Sequence, residues 1–313
     1  MWSFVQLSDP HVAPLPTARL RDLWNKRALG FLSWRVRRRT VHLADVLACL
    51  VRDVHAQAAD HTVVTGDITN IALPEEFVRG AMWLRTLGSP HDVSVVPGNH
   101  DAYVDVPWES SLGLWAAYMS SEDPRPLVPR SLRDFPFVRL RDRVAFVGVS
   151  TARPMAPFLA TGEIGPVQMS RLEEILRDLG RRGFFRVVMM HHPPTAHATK
   201  ARKRLLDAEP FRAIVARVGA ELIIHGHTHR PSLGVLSAPY GATPVLGPPS
   251  ASACRASGHD HYARYHVYRL DFSSPRPRIT VEVRGLDPHS MSFETESVEE
   301  FPVPYSRASE AVA

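Results

Sequence analysis

An α/β fold is the class this sequence predicts, on three observations. Short runs rich in Val, Ile and Phe alternate with longer helical stretches up to about residue 230. Turn residues punctuate the changes, and prolines sit where helices would begin. Strand candidates lie at 3–7, 61–65, 92–96, 143–149, 185–190 and 220–224. Helical stretches fall between them at about 40–59, 74–88, 107–120, 166–180 and 210–218.

Trp2, Phe4, Val5 and Leu7 form a strand from the outset, so no signal peptide is expected there. Residues 12–39 then delay the first helix and read as an insertion at a strand end, the edge where ligands bind in open α/β sheets. Pro74 with Glu75 and Glu76, and Pro166 after Gly165, mark first helical turns, where the missing proline N–H costs nothing. From about 232 the rhythm changes to strands alone. His261 to Phe272 alternates through Tyr262, Arg264, His266, Tyr268 and Leu270, and Ile279 to Val283 alternates again. This end is expected to close a second sheet against the first. Residues 1–285 are read as one domain without internal repeats. Residues 286–313, with Glu294, Glu296, Glu299, Glu300, Glu310 and scattered prolines, are expected to be an irregular tail.

Hydrophobic residues make up 44% of the 313 positions, enough for an ordinary core. No uninterrupted apolar run reaches the length of a membrane-spanning helix. Cys49 and Cys254 are too few for a disulfide framework, and a reducing cytoplasm is the expected compartment. The net charge of +5 is local. Arg19, Arg21, Lys26, Arg27, Arg35, Arg37, Arg38 and Arg39 stand against Asp22 alone, so the rest of the chain is net acidic. Such a segment is either a surface for something anionic or a solvated helix.

Five short motifs begin where apolar runs stop: Asp9-Pro10-His11, Gly66-Asp67, Gly98-Asn99-His100-Asp101, His191-His192-Pro193 and Gly226-His227-Thr228-His229. One such motif is usually a turn or a cap. Five on one edge of a sheet point to a site. In extended chain, residues i and i+2 share a face, so Asp9 with His11, and His227 with His229, would each offer two ligands to one cavity. Mixed nitrogen and oxygen donors suit Mn, Fe or Zn. No CxxC pair suggests a structural zinc. His259, Asp260 and His261 are either pocket residues or a polar turn.

These motifs, in this order, resemble the calcineurin-like metallophosphoesterases, over about residues 3–230. The resemblance implies a two-sheet β-sandwich flanked by helices, with a binuclear metal centre at the strand ends. It implies that Asp9, His11, Asp67 and His229 bind one divalent ion and Asp67, Asn99, His191 and His227 the other. A metal-bridging hydroxide would be the nucleophile. His100 would protonate the leaving group or stabilise the transition state, oriented by Asp101; a cap is the plainer reading of Asp101. His192 and Asn70 are expected beside the substrate.

After Gly66-Asp67 the chain reads Ile68-Thr69-Asn70, and Asp101 follows Gly98-Asn99-His100. Ser/Thr-class phosphoprotein phosphatases carry an arginine-containing continuation and a Glu at these places. The text is more similar to the bacterial branch described as cyclic-nucleotide phosphodiesterases. A phosphodiesterase is therefore expected, acting on a phosphorylated small molecule or a lipid. Leu20, Leu23, Trp24, Phe31 and Trp34 fall on one broad helical face, interrupted by Arg27 and Arg38. Aromatics among cations suit an anionic membrane surface, and related UDP-diacylglucosamine pyrophosphatases use an apolar, basic lid. The alternatives are thus a lipid pyrophosphatase at the inner face of the membrane, or a helical cap over the core. Nucleic acid is disfavoured by the acidic remainder. A non-catalytic metal-binding scaffold is the alternative of another class.

Overall fold

The computed structural model describes residues 1–255, 261–274 and 277–304. Among them, the continuous apolar runs become strands buried on both faces, as parallel strands between covering layers must be. The strands are β1 (Trp2–Leu7), β2 (His61–Val64), β3 (Val93–Val95), β4 (Phe137–Arg141), β5 (Val144–Gly148) and β6 (Phe185–Met189). There follow β7 (Leu222–Ile224), β8 (Ser232–Ala238), β9 (Gly241–Gly247), β10 (Arg264–Asp271), β11 (Arg278–Asp287) and β12 (Ser292–Pro302). One sheet runs β12-β11-β10-β1-β2-β3, the other β4-β5-β6-β7-β9-β8. The strands β1, β2 and β3 are parallel, as are β5, β6, β7 and β9.

The two-residue period of a strand places the second sheet between two cores. Val144, Phe146, Val187, Met189, Leu222 and Ile224 face the first sheet and share its large core. There the Phe4 and Phe146 rings meet edge to face, 5.2 Å apart. The intervening Ala145, Val147, Val188 and Ile223 face outward. They pack on Leu172, Leu176, Phe211 and Val215 of two helices, α4 (Pro166–Arg181) and α5 (Ala208–Val218). Before these in the chain come α1 (Arg27–Ser33), α2 (Ala44–Ala56) and α3 (Pro74–Leu87). No helix among the described residues is long and apolar enough to cross a membrane.

The structure corrects three expectations. The stretch 107–120 is not α-helical but two 3₁₀ segments, Trp108–Ser110 and Leu112–Met119. Leu112, Trp115 and Tyr118 are buried at a spacing of three, the period that eclipses side chains on one 3₁₀ face. The C-terminal strands divide between the two sheets. Of those expected to close the second sheet, β8 and β9 do extend it, whereas β10, β11 and β12 join the first, β10 pairing antiparallel with β1 and covering its edge. Residues 292–302, expected to be irregular, pair with β11 from Arg278↔Pro302 to Asp287↔Ser292. Backbone pairing at a sheet edge holds β12, with glutamates on its exposed face, so its polarity concealed a strand. Residues 305–313, with Glu310, lie outside the described residues.

Candidate metal centre

The C-terminal ends of β1, β2, β3, β6 and β7 converge where the two sheets meet. The loops following them carry Asp9 and His11, Asp67, Asn99 and His100, His191, and His227 and His229. The expectation that i and i+2 share a face of extended chain fails here. Asp9, His11, Asp67, His227 and His229 all adopt positive φ, at 51°, 39°, 58°, 69° and 55°. The chain reverses sharply at each of these five, and such conformations cost on the order of 1–3 kcal/mol apiece. Neighbouring loops hold them in place: Asp9 N donates to Gly66 O and His11 N to Asp67 O, both at 3.0 Å. Gly98 admits a close approach, since a Cβ there would lie 2.2 Å from Asp67 Oδ1.

Carbonyl groups fix which imidazole nitrogen faces inward. His11 Nδ1 donates to Thr69 O at 3.0 Å, and His191 Nδ1 to Thr65 O at 2.7 Å. His227 Nε2 donates to Lys203 O at 2.9 Å. Each of these rings therefore turns a lone pair into the cavity. His11 Nε2 lies 3.3 Å from His229 Nε2, and His227 Nδ1 lies 3.2 Å from His191 Nε2. Asn99 Oδ1 is 3.1 Å and Asp67 Oδ2 is 3.4 Å from His191 Nε2. Asp9 Oδ2 accepts from His227 N at 3.0 Å, whereas its Oδ1 is buried without a hydrogen-bond partner, 3.2 Å from His229 Nε2.

Lone pairs converging at such distances repel one another unless a cation lies among them, so these residues fit metal ions. The donor atoms of Asp9, His11, Asp67 and His229 lie within 4.8 Å of one another. Asp67 belongs to this group and also approaches His191, as a shared ligand would. Burial favours neutral carboxyls, yet the histidines around them keep Asp9 well below the usual carboxylate range and Asp67 below it too. Burial likewise opposes a charge on His191, but Asp67 and Asp9 push it up to about 9. The cavity thus draws positive charge.

His100 stands at the edge of this cradle, its ring 5.0 Å from that of His11. Its Nδ1 donates to Asn70 O at 2.5 Å, its ring lies parallel to that of Tyr103, and Nη1 of Arg38 reaches its Nε2 at 3.0 Å. Burial, with the Arg38 charge behind it, lowers His100 to about 3, so the imidazole is neutral.

Three expected roles change. Asp101 does not orient His100. Its carboxylate accepts from the backbone N–H groups of Asp67, Thr69 and Gly98, at 2.8, 2.8 and 2.9 Å, and so fixes the ligand loops. Burial and the charge of Asp67 push Asp101 up to about 7. His192 and Asn70, expected beside the substrate, are buried. His192 packs against His227 and is bonded at Thr151 Oγ1 and Ala160 O. Asn70 acts through its carbonyl.

Other residues at the site were not singled out from the sequence. Thr65 and Thr69 orient ligands through their carbonyls, and the His42 ring lies 4.8 Å from that of His11. Arg38 was read as one cation of the basic segment and as a break in its apolar face; its spacing of eleven from Arg27, three helical turns, was the available signal for a place at the site. His259 and Asp260 lie outside the described residues, while His261 N donates to His229 O at 3.3 Å.

The geometry agrees with what known proteins show. A dimetal phosphatase from Danio rerio superposes with a TM-score of 0.60 at 15% identity, over 97% of this chain and 99% of that one. Purple acid phosphatase PPD1 from yellow lupin (Lupinus luteus) gives 0.61 at 11% identity, over all of this chain but 55% of that one. At such identities the likeness is one of fold. Comparison with curated protein sequences found no match. Residues 3–231 carry the sequence pattern of the calcineurin-like phosphoesterases, most of the chain and every ligand loop, and the chain belongs to that family, a metallophosphoesterase that hydrolyses phosphoester bonds.

Proposed function

We propose that the chain is a binuclear phosphodiesterase in which His100 assists departure of the leaving group. The double cradle sharing Asp67 supports this reading most. Asp9, His11, Asp67 and His229 would hold one cation, and Asp67, Asn99, His191 and His227 the other, with Mn, Fe or Zn suiting the mixed donors. Such a pair, when bound, acidifies water and offsets charge on the phosphate.

The chain's own groups position the reaction. The Thr65, Thr69 and Lys203 carbonyls keep three imidazoles turned inward, and Asp101 braces the loops that carry Asp67 and Asn99. The Asn70 carbonyl accepts from His100 Nδ1, so Nε2 is the nitrogen that would take a proton from solvent and give it to the leaving oxygen as the P–O bond breaks. Ile68 is spent on the core and Thr69 Oγ1 on the His100 carbonyl. The stretch after Gly66-Asp67 thus carries no arginine, unlike the continuation in the protein phosphatases, and this supports reading the chain outside that class. The test is a panel with added Mn²⁺: bis-(p-nitrophenyl) phosphate, p-nitrophenyl phosphate, 3′,5′-cyclic AMP and a UDP-sugar lipid. Diesters should turn over fastest. Preference for the monoester overturns the specificity, and metal uptake without any turnover would indicate a scaffold.

A second reading has an observation of its own. Leu20, Trp24, Leu29, Leu32 and Val36 are 82%, 89%, 44%, 60% and 73% exposed, among the cations of 19–39. This supports a pyrophosphatase of the UDP-diacylglucosamine type, resting against anionic lipid through that segment. Cleavage of the lipid in the panel, with flotation on phosphatidylglycerol vesicles, would favour it; failure to float removes it.

A further inference from the structure

The insertion has an inward face made of Arg27, Gly30, Phe31, Trp34 and Arg38, three or four residues apart. Arg27 is buried, and its guanidinium donates to the carbonyls of Ala72 and Ile71, the latter at 3.1 Å. Gly30 lets the helix sit close, because a Cβ there would lie 2.7 Å from Ile71 Cγ2 and 2.8 Å from the Tyr103 hydroxyl. Phe31 and Trp34 pack on the cluster of Leu15, Ile71 and Leu73. The insertion is thus docked on the two residues that follow Asn70, whose carbonyl holds His100. Arg38, at the end of this face, reaches the same imidazole. Its Nη1 contacts His100 Nε2, while Nε and Nη2 have no hydrogen-bond partner among the described residues.

We propose that Arg38 is the phosphate-binding arginine of this site, delivered by the insertion from outside the ligand loops. In the free protein its guanidinium rests on His100. When substrate arrives, the non-bridging phosphate oxygens take the guanidinium donors, whose planar fork suits them. The inference rests on the proposed reaction and adds the residue that recognises its substrate. It also gives the insertion a role at the reacting group whether or not its outer face touches lipid.

The experiment compares metal-loaded wild type with Arg38→Ala and Arg38→Lys, and with Arg85→Ala on α3 as a control for lost charge. On bis-(p-nitrophenyl) phosphate, Arg38→Ala should lower kcat/KM by about 10²-fold, as loss of one transition-state donor does. Added guanidinium should restore part of that loss, and Arg38→Lys should fall between. Tungstate affinity, measured by calorimetry without turnover, should weaken about tenfold in Arg38→Ala with metal content unchanged. Unchanged tungstate affinity overturns the inference. So does a rate loss that accompanies a lowered Tm and that guanidinium does not relieve, since Arg38 would then only support the fold. If wild type binds tungstate but cleaves no ester, the proposed reaction fails while the binding comparison still decides the role of Arg38.

Discussion

The ligand loops and the 12–39 insertion meet at one imidazole but are built on opposite principles. The loops are buried, held by backbone hydrogen bonds, and strained at five ligand positions. The insertion passes within a few turns from 3₁₀ through α to π hydrogen bonding, and Arg27 is the one buried residue of its three helical segments among those described. It is fastened by one face and leaves apolar side chains in solvent on the other. Strain and burial belong where donor atoms must keep fixed positions against mutual repulsion. A surface that meets a partner of another shape can be exposed and loosely wound.

This contrast is sharpened by substitutions graded from the loops outward. The largest effect is expected for Asp67→Asn, which removes the shared carboxylate: metal content should fall, and activity with it by more than in any other variant. His100→Ala should lower the rate by roughly 10²–10⁴-fold while metals stay bound, and mass spectrometry of metal content separates the two cases. Asp101→Asn keeps the shape of a buried carboxylate but cannot accept from three backbone N–H groups equally well. Metal affinity should weaken about 10–100-fold, read from titration with a competing chelator. The smallest effect is expected on the outer face. Replacing Trp24, Leu32 and Val36 by serine should each shift stability by no more than about 0.5 kcal/mol in denaturant melts. The same variants should lose flotation if the lipid reading holds. A large loss of stability there would show that this face is covered, and would break the comparison.

The fold was legible where burial and sequence pattern agree. The apolar runs of β5 and β6 are strands buried on both faces, and Pro74 and Pro166 open α3 and α4. It was not legible in β12, where pairing with β11 outweighs a polar composition, nor at 112–119, where packing selects a tighter helix. At the site, candidate donors could be put forward because metal ligation restricts residue type. Their conformation could not. Asp9 and His11 look like extended chain in the text, yet both are left-handed, because β2 lies alongside and the loop after it fixes their backbone.

By itself the sequence determined the family and the reaction class, and put forward seven candidate donor side chains in a fixed order with a histidine beside them. Those are properties of residue identity, carried by each position alone. Only the tertiary structure decided that Asp101 braces loops, that His192 and Asn70 are buried, and that Arg38 meets His100 across 62 positions of chain. Contacts of that kind depend on where separate loops come together, and local spacing does not encode the approach of segments far apart in the chain.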